Sequence, residues 1–398
     1  MIDFTTTVYA QRIDQLQQML TARGMDAAIL TQNTDLYYYT GSMQPLYLVI
    51  PAVGEGAIFT RKAATRIRDE VHHLPLYEFT GTKELRAALA ERGLLSARHL
   101  GMTLDTVAYA TVLRLRELFA ESELTDIAWE IRTMRMVKSA DEIAVFDRAA
   151  EVMARLPELV RESFYPGMTE LALSAALEYA MRLHGHGSLI RCRREGVEMA
   201  AYGVCASGRN TLAGTKFDGI CGGVGLSAAV PFGATTTPLA RGVPILIDFA
   251  FVLDGYHLDQ TRMCCWGTPP AAMIDAYQAM CAVQEGIFAA LRPGISWESI
   301  YSDAVAHAGA LGYTETFMGV GSERVRFVGH GVGLELDEPP FLAPRMPYPL
   351  EAGHVLAIEP KVALPDIGVV GIEDTVLVTT TGARWVTTCP REIIVVEG

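Results

Sequence analysis

The chain has 398 residues, which is long for one hydrophobic core and predicts two or three domains. Of these residues 50% are apolar and 20% are charged, so the composition is that of a folded globular protein. A net charge of −13 argues against nucleic acid or an anionic membrane surface as the main partner.

The cysteines and the apolar runs indicate the compartment. Seven cysteines are scattered without a C-x-x-C pair, which predicts buried, reduced thiols and argues against a disulfide framework or a cysteine zinc site. The first residues lack the basic and apolar regions of a signal peptide, and no apolar run is long enough for a transmembrane helix. We therefore predict a cytoplasmic protein without a membrane partner.

The first third of the chain alternates predicted helices and strands. Apolar residues recur at helical spacing over residues 9–23, Gly24 provides a C-cap, and the apolar segment 27–30 follows as a strand. The segment LYLVIPAVGEGAIFT predicts two strands around a glycine-rich turn, and further helices and a strand follow it. This alternation predicts a compact α/β unit.

The pattern changes to long amphipathic helices near residue 135. Ser139, followed three residues later by Glu142, predicts a capping box at the start of such a helix. We therefore predict two domains, residues 1–134 and residues 135–398.

Two carboxylates lie on the arms of a predicted β-hairpin. Asp248 follows the apolar run 243–247, and Asp259 lies in the next strand, beyond an Asp-Gly turn signal. A carboxylate inside an apolar strand is unfavourable unless an opposite charge compensates it. Either a salt bridge to Arg262 or Lys361 or a shared cation would provide that charge.

A second segment repeats this arrangement with Glu359 and Glu373, which follow apolar runs on either side of a turn region at residues 365–368. His330 follows another apolar strand in the motif G-H-G-V-G-L, where the glycines allow a close approach of the backbone. Four clustered carboxylates without matching bases would repel one another, so the pattern predicts a pair of divalent cations. Oxygen ligands with one imidazole favour Mn²⁺, Co²⁺ or Fe²⁺ over a structural zinc ion.

These motifs resemble those of the pita-bread metallopeptidases, the group of methionine aminopeptidase, aminopeptidase P and prolidase, with creatinase as a relative that uses no metal. The motifs LIDFAFVLDGYHLDQTR, GHGVGLELDEPP, LAIEPKV and GIEDTVLVT follow one another in that family's order. The resemblance implies an α/β (α+β) fold. A creatinase-type α/β N-terminal domain, residues 1–134, would precede a pita-bread catalytic domain, residues 135–398.

The resemblance also implies a role for each candidate ligand. Asp248 resembles the terminal aspartate of one ion, Asp259 and Glu373 resemble the two bridging carboxylates, and His330 and Glu359 resemble the ligands of the other ion. Glu359 also resembles the residue that passes a proton from the bridging water to the leaving nitrogen. Two divalent ions are implied, with Mn²⁺ preferred and Co²⁺, Zn²⁺ or Fe²⁺ as alternatives.

Three positions depart from the family pattern. Asp337 stands where the peptidases usually have a histidine near the scissile bond, Phe232 stands near the place of a second substrate histidine, and Gly371 replaces a common arginine. An ionised aspartate cannot donate the hydrogen bond that a neutral imidazole donates, but it suits a cationic amine or an arginine partner. We count Asp337 with Glu359 as candidate catalytic residues.

Basic residues near the site are candidates for an anion-binding subsite. We predict that Arg193 and Arg326, together with Phe232, contact the substrate, and Arg324 is a further candidate partner for Asp337. A basic turn around Arg193 that is solvated or salt-bridged is the alternative.

The resemblance implies a dinuclear metal-dependent hydrolase, an Xaa-Pro aminopeptidase or dipeptidase that removes N-terminal residues from short peptides. The altered substrate-facing residues support a second hypothesis, a non-peptide C–N hydrolase or lyase on the same fold. A binding protein without catalysis is a third hypothesis, although such relatives usually lose ligands that this chain keeps. We also expect a homodimer. Its substrate would be a short peptide or another small molecule, and we expect no nucleic acid partner.

Overall fold

The structure of the chain, a computed structural model, describes residues 6–193 and 203–397. Two compact units divide it, Met1–Arg135 and Met136–Gly398. Within the described ranges, no helix is both long and apolar enough to cross a membrane.

The first unit contains a mixed sheet with helices around it. Its strands are β1 (Ala27–Leu30), β2 (Tyr47–Pro51), β3 (Ala57–Thr60), β4 (Leu76–Glu78), β5 (His99–Met102) and β6 (Glu123–Asp126). Its helices are α1 (Thr6–Ala22), α2 (Asn33–Thr40), α3 (Ala64–Glu70), α4 (Thr82–Glu91), the 3₁₀ turn Leu94–Ser96, α5 (Tyr109–Leu118) and α6 (Ala128–Met136). The strand order is β4-β3-β2-β1-β5-β6, in which the β1–β2 and β2–β3 pairs are antiparallel and the others are parallel.

The predicted start of the chain is confirmed. Helix α1 ends at Ala22, Gly24 follows with a left-handed φ of 65°, and β1 begins shortly after it. Glycine suits that conformation because it has no Cβ to clash with the backbone. Strands β2 and β3 are the two strands predicted around the glycine-rich turn.

The second unit contains sheets of mostly antiparallel strands and long helices. Its helices are α7 (Ala140–Met153), α8 (Leu156–Ser163), α9 (Glu170–Leu183), the 3₁₀ turn Gly208–Leu212, α10 (Ala271–Ala290), α11 (Trp297–Ala310) and the 3₁₀ turn Gly321–Glu323. Its first strands are β7 (Gly203–Ser207), β8 (Pro244–Leu253), β9 (Tyr256–Trp266), β10 (Gly329–Gly331), β11 (Glu338–Phe341) and β12 (Val355–Ile358). Its last strands are β13 (Lys361–Leu364), β14 (Gly368–Gly371), β15 (Asp374–Val378), β16 (Ala383–Trp385) and β17 (Ile394–Val396). The sheet orders are β17-β9-β8-β7, β11-β10-β12-β15-β16 and β13-β14.

Helix α7 begins with the predicted capping box. The Glu142 backbone N–H donates to Ser139 Oγ at 3.2 Å, and the Ser139 backbone N–H donates to Glu142 Oε2 at 2.8 Å. The apolar core of the same unit includes Leu246 of β8, Met280 of α10 and Ile358 of β12, all fully buried. Each such side chain stabilises the fold by about 1.5–3 kcal/mol, which holds the strands that carry the polar site in place.

The first predicted hairpin is confirmed as the β8–β9 pair. Asp248 lies opposite Thr261, and Asp259 lies opposite Ala250. Residues two apart on a strand point to the same face, so both carboxylates project from one side of the hairpin.

The second predicted hairpin is present, with a short interruption at its carboxylates. One arm contains β12 and β13 and the other contains β14 and β15, and Ile358 opposite Asp374 and Lys361 opposite Gly371 give both ladders one register, so Glu359 lies opposite Glu373. Pro360 separates β12 from β13, and proline has no N–H with which to continue a ladder. Each carboxylate therefore lies at a junction of two sheets.

Candidate active site

The five predicted ligand side chains line one cavity of the second unit, which has a volume of 540 Å³. They are Asp248 on β8, Asp259 on β9, His330 on β10, Glu359 directly after β12 and Glu373 directly before β15. Segments that are far apart in the chain therefore meet at one cavity.

One part of this cluster has the character of a metal site. Asp259, His330 and Glu373 each offer one ligand atom, and these atoms lie within 4.8 Å of one another. His330 Nε2 also lies 3.3 Å from Glu359 Oε1 and 3.9 Å from Asp259 Oδ2. Carboxylate oxygens with one imidazole nitrogen are a donor set that suits a divalent cation such as Mn²⁺ or Fe²⁺.

The other part of the cluster surrounds a lysine. Lys361 Nζ lies 2.6 Å from Glu359 Oε2, 2.8 Å from Glu373 Oε2 and 3.3 Å from Asp248 Oδ2. The sequence left a salt bridge from Lys361 as the alternative to a shared cation, and the structure contains that salt bridge beside the ligand cluster. The residues therefore fit one divalent ion, at Asp259 and His330, better than two.

Arg262, the other basic residue considered as a partner for Asp248, lies elsewhere. Its Nη2 lies 2.6 Å from Asp374 Oδ1, and its Nη1 donates to the carbonyl oxygens of Thr261 and Glu373 at 2.8 Å. The guanidinium thus ties β9 to the start of β15. Arg262 therefore positions the backbone of Glu373 and does not compensate the negative charge of the carboxylates that line the cavity.

The electrostatics of the cluster favour charged forms of Glu359 and His330. Burial alone would raise the pKa of Glu359, but the nearby charges of Lys361 and His330 lower it to about 2. Burial alone would lower the pKa of His330, but its hydrogen bond with Glu359 and the charge of that carboxylate raise it to about 10. Positive charge is therefore stabilised in this part of the site.

The two remaining carboxylates show the opposite shift. Burial and the charge of Asp248 raise the pKa of Asp259 to about 7. Burial, followed by the charges of Asp259 and Glu359, raises the pKa of Glu373 well above its ordinary value. Such carboxylates gain from a further cation beside them, as a divalent ion would provide.

Neighbouring polar groups orient the ligands. Thr261 Oγ1 donates to Glu373 Oε2 at 2.8 Å, and Cys221 Sγ donates to Asp248 Oδ2 at 3.3 Å. His330 Nδ1 lies 3.1 Å from the Gly331 carbonyl oxygen, which leaves Nε2 to face the carboxylates. Such contacts fix the direction of each ligand atom.

Most of the predicted substrate-facing residues line the same cavity. Asp337, Phe232 and Arg326 are in its wall, together with Arg324. These four residues give the part of the wall outside the ligand cluster one carboxylate, two guanidinium groups and an aromatic ring.

Arg193 is the exception to the predicted substrate-binding set. Its Nη1 lies 3.2 Å from Glu335 Oε1, its side chain is 5% exposed, and it is outside the cavity wall formed by the described residues. A buried guanidinium stays paired with its carboxylate because separating them would leave two uncompensated charges in the protein interior. The salt-bridged alternative therefore describes Arg193 better than substrate binding.

Two residues of the site were missed as site residues by sequence reasoning. The sequence contained a signal for Lys361, because residues 359 and 361 point to the same face of an extended strand. A lysine two positions after Glu359 is therefore expected on the side of the ligand. Cys221 had no such signal, because it lies in a segment of weak periodicity.

Two protein-family profiles match the chain. The profile of metallopeptidase family M24 matches residues 144–380, and the profile of the creatinase/prolidase N-terminal domain matches residues 12–137. The chain belongs to metallopeptidase family M24. The predicted family, enzyme class and fold are thereby confirmed.

Several M24 relatives match over their full length. The Xaa-Pro dipeptidase of Pyrococcus furiosus is 25% identical over 96% of this chain and 99% of its own. The solved structure of the prolidase from Pyrococcus horikoshii OT3 superposes with a TM-score of 0.79 at 25% identity, over 96% of this chain and 99% of its own. The dipeptidase PepE from Mycobacterium ulcerans superposes with a TM-score of 0.81 at 25% identity, over the whole of both chains.

Proposed function

We propose that this M24 enzyme is a metal-dependent peptidase that removes the N-terminal residue from short Xaa-Pro peptides. The convergence of Asp259, His330, Glu359 and Glu373 on one cavity carries this proposal. The names of the matched relatives, Xaa-Pro dipeptidase and prolidase, support the choice of substrate.

The same four residues would hold the metal. A divalent ion bound there would act as a Lewis acid and would lower the pKa of a bound water. Glu359 has one oxygen toward His330 and the other toward Lys361, so it accepts hydrogen bonds on both sides. Glu359 Oε1, which faces His330, would accept a proton from the attacking water and release it to the leaving nitrogen.

The cavity wall suits a small zwitterion. Asp337 would pair with the free amino group of a dipeptide, and Arg324 or Arg326 would pair with its carboxylate. Phe232 and Phe217 offer apolar surface to a proline ring. A cavity of 540 Å³ has the size expected of a site for a small ligand.

The test is hydrolysis of a dipeptide panel by the full chain loaded with Mn²⁺. We expect release of the N-terminal amino acid from Ala-Pro, Leu-Pro and Met-Pro, and slower release from the matched Xaa-Ala peptides. Glu359→Gln should lower kcat by about 100-fold or more because the proton acceptor is lost. Glu351→Gln, at an exposed glutamate eight positions earlier, should leave kcat unchanged.

Folded, metal-loaded protein that cleaves none of these peptides would overturn the peptidase proposal. It would favour the second candidate, a non-peptide C–N hydrolase or lyase. Asp337 and Phe232, in the places where the resemblance leads one to expect histidines, are the specific observation behind that candidate. A screen of small amides and amines by proton NMR, with product detection, would then identify the bond that is broken.

We further propose Mn²⁺ as the native ion and a cytoplasmic homodimer as the active form. Elemental analysis of protein purified without added metal tests the first. Sedimentation equilibrium tests the second, and a mass of one chain would contradict it.

A further inference from the structure

Lys361 lies inside the carboxylate cluster with its side chain 0% exposed. Its Nζ contacts one oxygen each of Asp248, Glu359 and Glu373, at 3.3, 2.6 and 2.8 Å. The ammonium donates hydrogen bonds to Glu359 Oε2 and Glu373 Oε2, and it forms an ion pair with Asp248 Oδ2. The ammonium thus lies between Asp248 and Glu373, where the family resemblance implies one of two ions.

The cluster is divided at Glu359. Its Oε1 faces His330 at 3.3 Å, and its Oε2 faces Lys361 at 2.6 Å. On the lysine side Asp248 also accepts a hydrogen bond from Cys221 Sγ, so that aspartate is already engaged by an ammonium and a thiol. On the other side Asp259, His330 and Glu373 bring two carboxylates and an imidazole together, with no lysine or arginine of the described residues between Asp259 and His330.

Gly371 provides the room that Lys361 uses. The two residues are opposite each other in the β13–β14 hairpin. A Cβ atom at position 371 would come within 2.4 Å of Lys361 Cγ, closer than real side chains approach. It would also come within 2.7 Å of Lys361 Cα and of the Pro360 carbonyl oxygen, so the glycine allows the close approach of the two strands that carries Lys361 into the cluster.

We infer that Lys361 takes the place of one metal ion, so that each chain holds a single divalent ion bound by Asp259, His330, Glu359 and Glu373. The inference deepens the proposed function and rests on it, because it concerns the same site. A second dication on the lysine side would have to displace the ammonium from Asp248 and would lie next to its positive charge.

The charges of the site are consistent with one ion. Lys361 Nζ has three carboxylate oxygens within 3.3 Å, a surrounding that stabilises the ammonium form of the side chain. With a divalent ion beside it, three positive charges face the four carboxylates of the cluster.

Metal stoichiometry of the full chain tests this inference. We expect one Mn²⁺ per wild-type chain by titration calorimetry and elemental analysis after chelation and refilling. Lys361→Gly removes the ammonium and leaves space, so it should bind two Mn²⁺. Lys138→Met is the matched control, because Lys138 is also 0% exposed and pairs with Glu338 at 2.6 Å, away from the ligands. It should still bind one ion.

Electron paramagnetic resonance of the Mn²⁺-loaded wild type gives a second measurement that does not depend on whether Lys361→Gly folds. We expect the six-line signal of an isolated ion; the signal of a coupled pair, or two equivalents in the titration, would overturn the inference. Binding of no ion would overturn it as well. Wild type with one ion and no action on any peptide would instead overturn the proposed function and leave the stoichiometry in place.

Discussion

His354 is a buried residue whose charge state differs between the folded and the unfolded chain. Burial, and then the positive charge of Lys138, lower its pKa to about 3, against an ordinary value of 6.5. Its Nδ1 accepts a hydrogen bond from the Glu351 backbone N–H at 3.3 Å. The folded protein therefore keeps this imidazole neutral at pH values where the unfolded chain protonates it.

This difference predicts a loss of stability in acid. Between pH 6.5 and about 3 the unfolded state binds more protons at His354, so the free energy of unfolding falls as the pH falls, by at most about 1.4 kcal/mol per pH unit from this residue. His354→Asn, which keeps an acceptor for Glu351, should flatten the pH dependence of the urea midpoint over that range. His72→Gln, at an exposed histidine, should not. Parallel curves for wild type and His354→Asn would contradict the assignment.

At the level of single residues, the sequence predicted ligands better than ion-pair partners. Asp259 and His330 were identifiable from sequence motifs: Asp259 lies within an apolar strand after an Asp-Gly turn, and His330 follows an apolar strand in a glycine-rich motif. A salt bridge from Lys361 was one of two alternatives left open, and the partner of Arg193 was not identifiable, because a basic side chain can reach any carboxylate that the fold brings near. Arg193 and Glu335 are 142 residues apart, and their pairing depends on tertiary structure alone.

At the scale of elements, one carboxylate at the start of α9 holds together three segments that precede β8 in the chain. Glu170 is fully buried and accepts hydrogen bonds from the backbone and side chain of Ser207, at 2.6 and 2.7 Å. It also accepts from Asn210 Nδ2 at 2.7 Å and from the backbone and hydroxyl of Thr235, at 2.9 and 2.8 Å. One side chain thus joins β7, the 3₁₀ turn after it and the loop that leads to β8.

We predict that Glu170→Gln destabilises the protein by about 3 kcal/mol, because the amide places an NH₂ donor against donors that need an acceptor. The free energy of unfolding from urea titration measures the change. Glu178→Gln, on the same helix and only partly buried, should change it by less than about 0.5 kcal/mol. Equal midpoints for the two variants would show that Glu170 does not carry this role.

The element pattern was predictable where one period dominates. Alternation along β8 and β9 and the Asp-Gly turn between them fixed the first hairpin and the face of its carboxylates. The junction at Pro360 was harder, because a short apolar run on each side of a proline fits either one long hairpin or two ladders. The two ladders keep one register, which places Glu359 opposite Glu373 across the interruption.

At the scale of the molecule, all of the candidate ligands and their supporting contacts come from the second unit. We propose residues 1–134 and 135–398 as independent domains, since each compact unit has its own apolar cluster. The fragment 135–398 should therefore fold alone and bind Mn²⁺, which circular dichroism and calorimetry would measure. The same fragment with Glu373→Gln should fold but bind Mn²⁺ at least about 10-fold more weakly. A fragment that is unfolded in isolation would contradict independence.

A positive charge that belongs to the polypeptide cannot diffuse away. When a chelator or metal starvation empties the neighbouring ligands, the Lys361 ammonium stays bonded to Asp248, Glu359 and Glu373. The ammonium then still compensates the negative charges of these carboxylates. In a site that contains only dissociable ions, loss of the ions would leave the carboxylates to repel one another and separate. The enzyme should therefore survive demetallation with its active-site strands in place and regain its ion when the supply returns.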